Sequence, residues 1–194
     1  LEKHYMDGKL DGKWILWHAN GQIGLDSQKK GEGNYKDGKK DGKWILWHAN
    51  GQIELEKHYM DGKLDGKWIL WHENGQIELD SQKKGEGNYK DGKLDGKWIW
   101  WHANGQIELE KHYMDGKLDG KWILWHENGQ IELEKHYMDG TLVSETHYAY
   151  HENGQILSEK HYKDGKLDGK WILWHENGQI GLDSQKKGEG NYKD

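Results

Sequence analysis

The chain of 194 residues has no cysteine, no proline and no phenylalanine. Without cysteine there is no disulfide framework and no thiolate metal site, and the compartment is left open. No apolar run approaches the ~18 residues that a membrane-spanning helix needs, and no signal-peptide pattern is seen. A basic excess is missing too: 28 Lys and Arg stand against 34 Asp and Glu, a net charge of −6, with the two signs interleaved. A nucleic-acid partner is not expected, because phosphate binding needs a basic face. Binding to an anionic membrane surface is disfavoured for the same reason. Apolar residues make up only 33% of the chain, little for an ordinary globular core.

What the chain has is aromatic residues and repetition. Thirteen Trp and ten Tyr exceed what a disordered chain carries. Such side chains bury large areas, so few of them can build a thin core. Glycine is abundant, 28 residues, without the three-residue period of collagen. The phrase DGKLDGKWILWHENGQI recurs with small changes, and Asn-Gly pairs at Asn20, Asn50, Asn74, Asn104, Asn128, Asn153 and Asn177 mark its beat. The steps are 30, 24, 30, 24, 25 and 24 residues. A period in this range signals a repeat array in which each unit touches only its neighbours. Residues 1–194 therefore read as one continuous array of about seven units, with one irregular unit at 139–156. Leu1 and Asp194 both fall inside a unit, so the expectation is a window from a longer array or a processed chain.

Each unit reads as two strands. Asn50-Gly51 and Asp61-Gly62 are hairpin signals, because a type I′ turn needs positive φ at both central residues. The runs between them carry Trp, Ile, Leu and Tyr at strand length. Helix is disfavoured by the recurring Gly. Two-residue loops fix the register. Across Asn50-Gly51, His48 should face Ile53, Leu46 face Leu55, Trp44 face Lys57 and Gly42 face Tyr59. Across Asp61-Gly62, Tyr59 should face Leu64, Lys57 face Gly66, Leu55 face Trp68 and Ile53 face Leu70. One face then holds Trp44, Leu46, Leu55, Tyr59, Leu64, Trp68 and Leu70, with His48 and Ile53. The other holds Ile45, Trp47, Glu54, Glu56, His58, Met60, Asp65, Lys67, Ile69 and Trp71. Glu56 is expected opposite Lys67, and Tyr59 is expected to cover Gly42. The fold class is all-β: an elongated array of antiparallel hairpins, as a single twisted or coiled meander sheet or a solenoid-like rod. At ~4.8 Å per strand, seven units make a rod of roughly 70 Å.

Long and short units differ by six residues. Short units continue with LEKHYMDG, long ones with LDSQKKGEGNYKDG. The even difference keeps Tyr35 and Tyr59 on one face. SQKKGEG is expected to be a loop bulging from the side of the array, where function often resides.

Three features suggest chemistry. Histidine forms two ladders, His18 to His175 and His4 to His161, but rungs at least ~10 Å apart cannot share an ion that needs ligands at about 2 Å. No cofactor or metal site is expected. Carboxylates such as Glu54 and Glu56 recur on a surface that offers no enclosed pocket, so no catalytic pair and no enzyme are expected. The third feature is a Trp ladder on the mixed face: Trp17, Trp47, Trp71, Trp101, Trp125 and Trp174. Coiling of the sheet could bury it, a second copy could cover it, or sugar rings and choline could stack on it. In the irregular unit His147 and Tyr150 replace the Trp pair, one residue is inserted and the second Gly is lost. This is where a bend or a recognition patch is expected.

The repeated residues Tyr-x-x-Gly-Lys-Leu-x-Gly-Lys-Trp-x-x-Trp-x-x-Asn-Gly-Gln-Ile, as at 59–77, resemble the bacterial variant of the MORN repeat, of the YwqK antitoxin-like type. The resemblance covers essentially the whole chain. It implies hairpin units in an extended sheet, and for some members an immunity or antitoxin role. Choline- and glucan-binding repeats are similar in their Gly-Lys-Trp hairpins, though their Gly-Trp opening is missing. The expected function is a non-enzymatic scaffold with a structural, adhesive or protein-binding role, whose partner is another copy or another protein. The alternatives are an immunity protein that binds one toxin, and a carbohydrate- or choline-binding module. The candidate surface comprises the six ladder Trp residues with His147 and Tyr150.

Overall fold

A computed structural model describes residues 1–18, 29–73, 83–176 and 186–192. Among them it holds fifteen strands. They are β1 (Glu2–Met6), β2 (Lys9–Trp17), β3 (Lys29–Lys36), β4 (Lys39–Trp47), β5 (Ile53–Met60), β6 (Lys63–Trp71), β7 (Lys83–Lys90) and β8 (Lys93–Trp101). The series continues with β9 (Ile107–Met114), β10 (Lys117–Trp125), β11 (Ile131–Met138), β12 (Thr141–Tyr150), β13 (Ile156–Lys163), β14 (Lys166–Trp174) and β15 (Lys186–Tyr192). All lie in one open antiparallel meander, each strand bonded to its neighbours in sequence. The array is thus all-β and built of hairpins.

The Asp-Gly turns follow the sequence logic. Asp61 has φ 49° and Gly62 φ 83°, the paired positive values of a type I′ turn, and all seven such turns repeat them. The Asn-Gly loops do not. Asn50 is not left-handed; only Gly51 is, at φ 85°. Gly51 N donates to His48 O at 3.0 Å and His48 N to Gln52 O at 2.9 Å, so the loop has three residues, Ala49 to Gly51. This is a type I turn closed by a left-handed Gly. Asn50 serves through its side chain instead, with Oδ1 accepting from Gln52 N at 3.0 Å.

Two bulges reconcile this loop with the expected pairing. Trp47 pairs with Ile53, where His48 was expected, and Glu54 is then the extra residue that restores Leu46 to Leu55, Trp44 to Lys57 and Gly42 to Tyr59. Ile53 therefore joins Trp47 and not Leu46. Beyond Asp61-Gly62, Tyr59 pairs with Leu64 as expected, but Lys57 then pairs with Trp68 and Leu55 with Leu70. Asp65, Gly66 and Lys67 span the space of one partner residue, with Gly66 at φ 100°. The excess of two preserves the faces. It also removes the expected pairing of Glu56 with Lys67: Glu56 lies opposite Ile69 and takes an ion pair from Lys43 at 2.6 Å. Gly42 does face Tyr59, yet a Cβ there would touch nothing, and its φ of 70° is what calls for glycine.

The SQKKGEG expectation needs the larger correction. Lys29–Lys36 and Lys83–Lys90, KKGEGNYK in both cases, are full strands, not loops. Gly31 pairs with Leu46 as Leu55 pairs with Leu70, so GEGNY occupies the place of LEKHY. The six extra residues fall within 19–28 and 74–82, outside the described residues. An alternating polar strand with two glycines resembles a loop in composition, and the cross-strand tryptophans explain why it is not one.

Trp44 lies flat over Gly33, where an added Cβ would come within 2.2 Å of its ring, and Trp98 covers Gly87 in the same way, at 2.1 Å. Their indole Nε1 atoms donate to Asn34 O at 3.2 Å and Asn88 O at 3.1 Å. With no side chain between them, the tryptophans on either side of the glycine strand meet: Trp14 and Trp44 at 5.1 Å, Trp68 and Trp98 at 5.3 Å between centroids. Tyr35 and Tyr89 pack edge-on at 5.2 Å. Trp44 and Trp98 are 6% and 5% exposed, and with Ile15 and Trp71 they form the buried apolar core among the described residues. A single-layer sheet has thus built local cores by sinking indoles onto bare backbone.

Both edges are hydrogen-bonded along the array. At one edge five Asp-Gly turns dock on the turn-proximal strand of the unit before them: Gly38 N on Leu10 O, Gly62 N on Lys40 O, Gly92 N on Leu64 O, Gly116 N on Leu94 O and Gly140 N on Leu118 O, all 2.7–2.9 Å. The second Asp of DGKLDG accepts from the next turn, as Asp65 Oδ2 does from Asp91 N at 3.0 Å and Asp119 Oδ2 from Asp139 N at 2.9 Å. The doubled Asp-Gly of the repeat is therefore a turn followed by a receptor for the next turn. At the other edge Asn50, Asn104 and Asn153 Nδ2 donate to Glu73, Glu127 and Glu176 O at 2.6–2.7 Å.

Candidate functional site

The six ladder tryptophans close the Asn-Gly ends of alternate strands. Trp47, Trp101 and Trp125 pair with Ile53, Ile107 and Ile131. Trp17, Trp71 and Trp174 pair with Lys29, Lys83 and Lys186 of the glycine strands. Trp71 is buried, at 8%, and the other five are half-buried. They form one row, distinct from the Trp14, Trp44, Trp68, Trp98 and Trp122 series that packs over the strand centres.

The opposite end of the mixed face carries repeated ion clusters. Glu56 binds Lys43 at 2.6 Å with His58 at 3.9 Å, and Glu110 binds Lys97 at 2.6 Å with His112 at 2.9 Å. Burial pushes the Glu110 carboxyl up, but its bonds to Lys97 and His112 outweigh that and hold it below the usual value. The His ring also fits the glycine bulge: a Cβ on Gly66 would lie 3.2 Å from that of His58, and His58 Nδ1 sits 3.2 Å from Lys67 O.

The irregular unit breaks both patterns. β12 has ten residues, not nine, and no left-handed glycine in its interior. Elsewhere Leu109 faces Leu124 and Lys111 faces Trp122, but here Leu133 faces His147 and Lys135 faces Glu145. On its far side β12 returns to the common frame, Ala149 facing Ser158 as Leu124 faces Leu133. So β12 from Ser144 onward is displaced by two residues along β11, about 7 Å at a strand's rise, while its turn end keeps the common pairing, Tyr137 with Leu142 as Tyr113 with Leu118. The expected break is therefore a step in register. Without the receptor Asp-Gly on β12, the Asp164-Gly165 turn has no bond onto it among the described residues.

His147 is half in solvent, 3.3 Å from Glu145 and 4.9 Å from the Tyr162 ring. Tyr150 is half-buried and donates to Ile131 O at 2.8 Å. The two sit at different distances from the loop edge and contact different strands, so they do not form one cluster. Between them Tyr148 OH donates to Glu134 at 3.3 Å, and burial followed by the charges of Glu134 and Glu159 raises its phenol. The sequence places His136 in the second histidine ladder but does not single out Lys121, Ser144 and Thr146. With Ile123, Glu134, Lys135 and Glu145 they line a cleft of ≈ 180 Å³ across β10, β11 and β12. The signal was present in Ser144 and Thr146, small hydroxyl residues where other units have Gly and Lys at matching distance from the turn and loop.

No group of three or more His, Asp or Glu side chains has metal-holding geometry among the described residues. No helix there is long and apolar enough to cross a membrane.

The MORN repeat variant family model matches residues 40–61, 64–91, 94–115, 118–139, 146–164 and 167–180, more than half of the chain. The chain belongs to this family. The matches break between 139 and 146, where β12 steps out of register. Curated proteins give no match to this chain. Membership makes it a repeat module of a class whose members are typically non-enzymatic and commonly serve in binding.

Proposed function

We propose that this MORN repeat chain is a non-enzymatic scaffold that binds a protein partner, with the specific contact made at the irregular unit. The observation that supports this reading is the register step at β12. It interrupts an array whose two edges are otherwise bonded from unit to unit. A surface copied along the array offers many equal sites; the step offers one distinct site. The Tyr148–Glu134 pair presents its side chains there on the mixed face, and His147 presents its ring on the other. The half-buried Trp row, Trp17 to Trp174, supplies adjoining apolar area.

The test is affinity capture from the source cells with the wild-type chain and with a variant whose residues 141–150 are replaced by the regular KLDGKWILW. A partner held by the wild type and lost by the variant is the expected result. A partner held equally by both would move the contact to the regular face. Light scattering on the purified chain reads self-association, which is expected to be unaffected by the replacement.

A further inference from the structure

We propose that the cleft across β10, β11 and β12 is a binding site for a compact oxyanion, the chemistry shared by a phosphate and a carboxylate. The register places two rows of side chains side by side. Ile123, Glu134 and Thr146 form one row, and Lys121, His136 and Ser144 the other. In the regular units this place is filled and neutralised. Lys97 and His112 both close on Glu110, at 2.6 and 2.9 Å. Here the central carboxylate, Glu134, is taken by Tyr148 OH at 3.3 Å. Among the described residues Lys121 and His136, the counterparts of Lys97 and His112, have no hydrogen-bond or ion-pair partner.

Two further differences open the site. The step in β12 brings Thr146 opposite Glu134, where Ile69 and Ile123 face the corresponding Glu56 and Glu110. Ser144, opposite His136, adds a hydroxyl without a bonded partner where a left-handed Gly and a backbone carbonyl receive the ring of His58. Thr146 Oγ1 is held by His161 Nδ1 at 2.9 Å, which fixes that wall. The remaining charges, Lys135 and Glu145, pair with each other at 3.4 Å, and Glu145 also meets His147 at 3.3 Å. Beside the Glu134 carboxylate, the lining thus offers an ammonium, an imidazole and a hydroxyl that are unpaired among the described residues, around ≈ 180 Å³. Oxyanions are bound by this combination of a point charge and neutral donors. The site is independent of the protein-binding reading, because it needs only the chain itself.

The experiment is calorimetric titration of the intact chain with inorganic phosphate and, separately, with succinate. One saturable site per chain is expected. Lys121→Gln, an exposed substitution, should weaken it at least tenfold, whereas Lys97→Gln in a regular unit should leave it unchanged. A second variant, Thr146→Ile, restores the regular lining and should weaken binding with Lys121 in place. Saturation by phosphate alone, or by succinate alone, identifies which oxyanion the site takes. No saturable binding of either, several equal sites per chain, or equal binding by Lys121→Gln would overturn the proposal.

Discussion

The glycine strands β3 and β7 and the charged strands β5 and β9 hold the same place in the repeat, yet they solve different packing problems. In β5 the face toward the tryptophans carries Leu55 and Lys57; in β3 it carries Gly31 and Gly33. Where lysine stands between two indoles, as Lys57 does between Trp44 and Trp68, the two rings make no contact with each other among the described residues. Where glycine stands, the indoles meet and one sinks onto the backbone. The difference shows that a thin sheet gains buried apolar area by deleting side chains as well as by adding them. The cost is conformational: glycine in a strand interior weakens it by roughly 0.5–1 kcal/mol. Burying an indole offsets this several times over.

The largest expected effect distinguishes the two environments. Trp98→Ala, which empties the nest over Gly87, should cost about 4 kcal/mol by urea denaturation. Trp122→Ala, between Lys111 and Lys135 and half-buried, should cost about half as much, since less area leaves water. Equal losses would mean that the glycine strands give no special burial. Next comes the bond that joins units. Asp65→Ala removes the acceptor for Asp91 N, and about 1 kcal/mol should be lost. The matching residue of β12 is Val143, which has no acceptor and receives no turn, so Val143→Ala should not affect the Asp164-Gly165 turn; amide exchange at Gly165 checks this.

The smallest effect is in the charged strands. The Glu110 carboxyl is held below its ordinary value in the folded chain. Its contribution is therefore present above the unfolded value and is lost as pH falls through the lower folded one. Denaturation midpoints measured from neutral to acid pH should fall less steeply for Glu110→Gln than for the wild type. An identical pH slope would show that the Lys97–Glu110–His112 cluster contributes nothing.

Much of this was legible in the residues, and the failures have causes. Asp61-Gly62 was read correctly because two adjacent positive φ values leave few alternatives. Asn50-Gly51 carries the same letters of hairpin chemistry but uses asparagine as a side-chain acceptor, and a three-residue loop plus one bulge mimics the parity of a two-residue loop. The register from Leu46 outward therefore came out right although the turn was wrong. The second bulge was hidden because an excess of two residues changes partners but no faces. KKGEG was misread because its stabilising partner lies on the next strand, as Trp44 or Trp98, and local composition does not show it. The cleft at Lys121 and His136 was invisible for a related reason. Both residues are copies of paired ones, and their release depends on Tyr148 and on a two-residue step in β12.

The central claim is that the glycines of β3 and β7 exist to seat an indole. It is tested most directly by the unfolding free energy of Gly87→Ala. An added Cβ would lie 2.1 Å from Trp98 Cδ2, far inside contact distance, so the ring must leave its nest. The account predicts a loss of about 2 kcal/mol, the scale of overpacking, together with a shift in tryptophan fluorescence. A chain as stable as the wild type, or more stable through the lower entropy of its unfolded state, would contradict it.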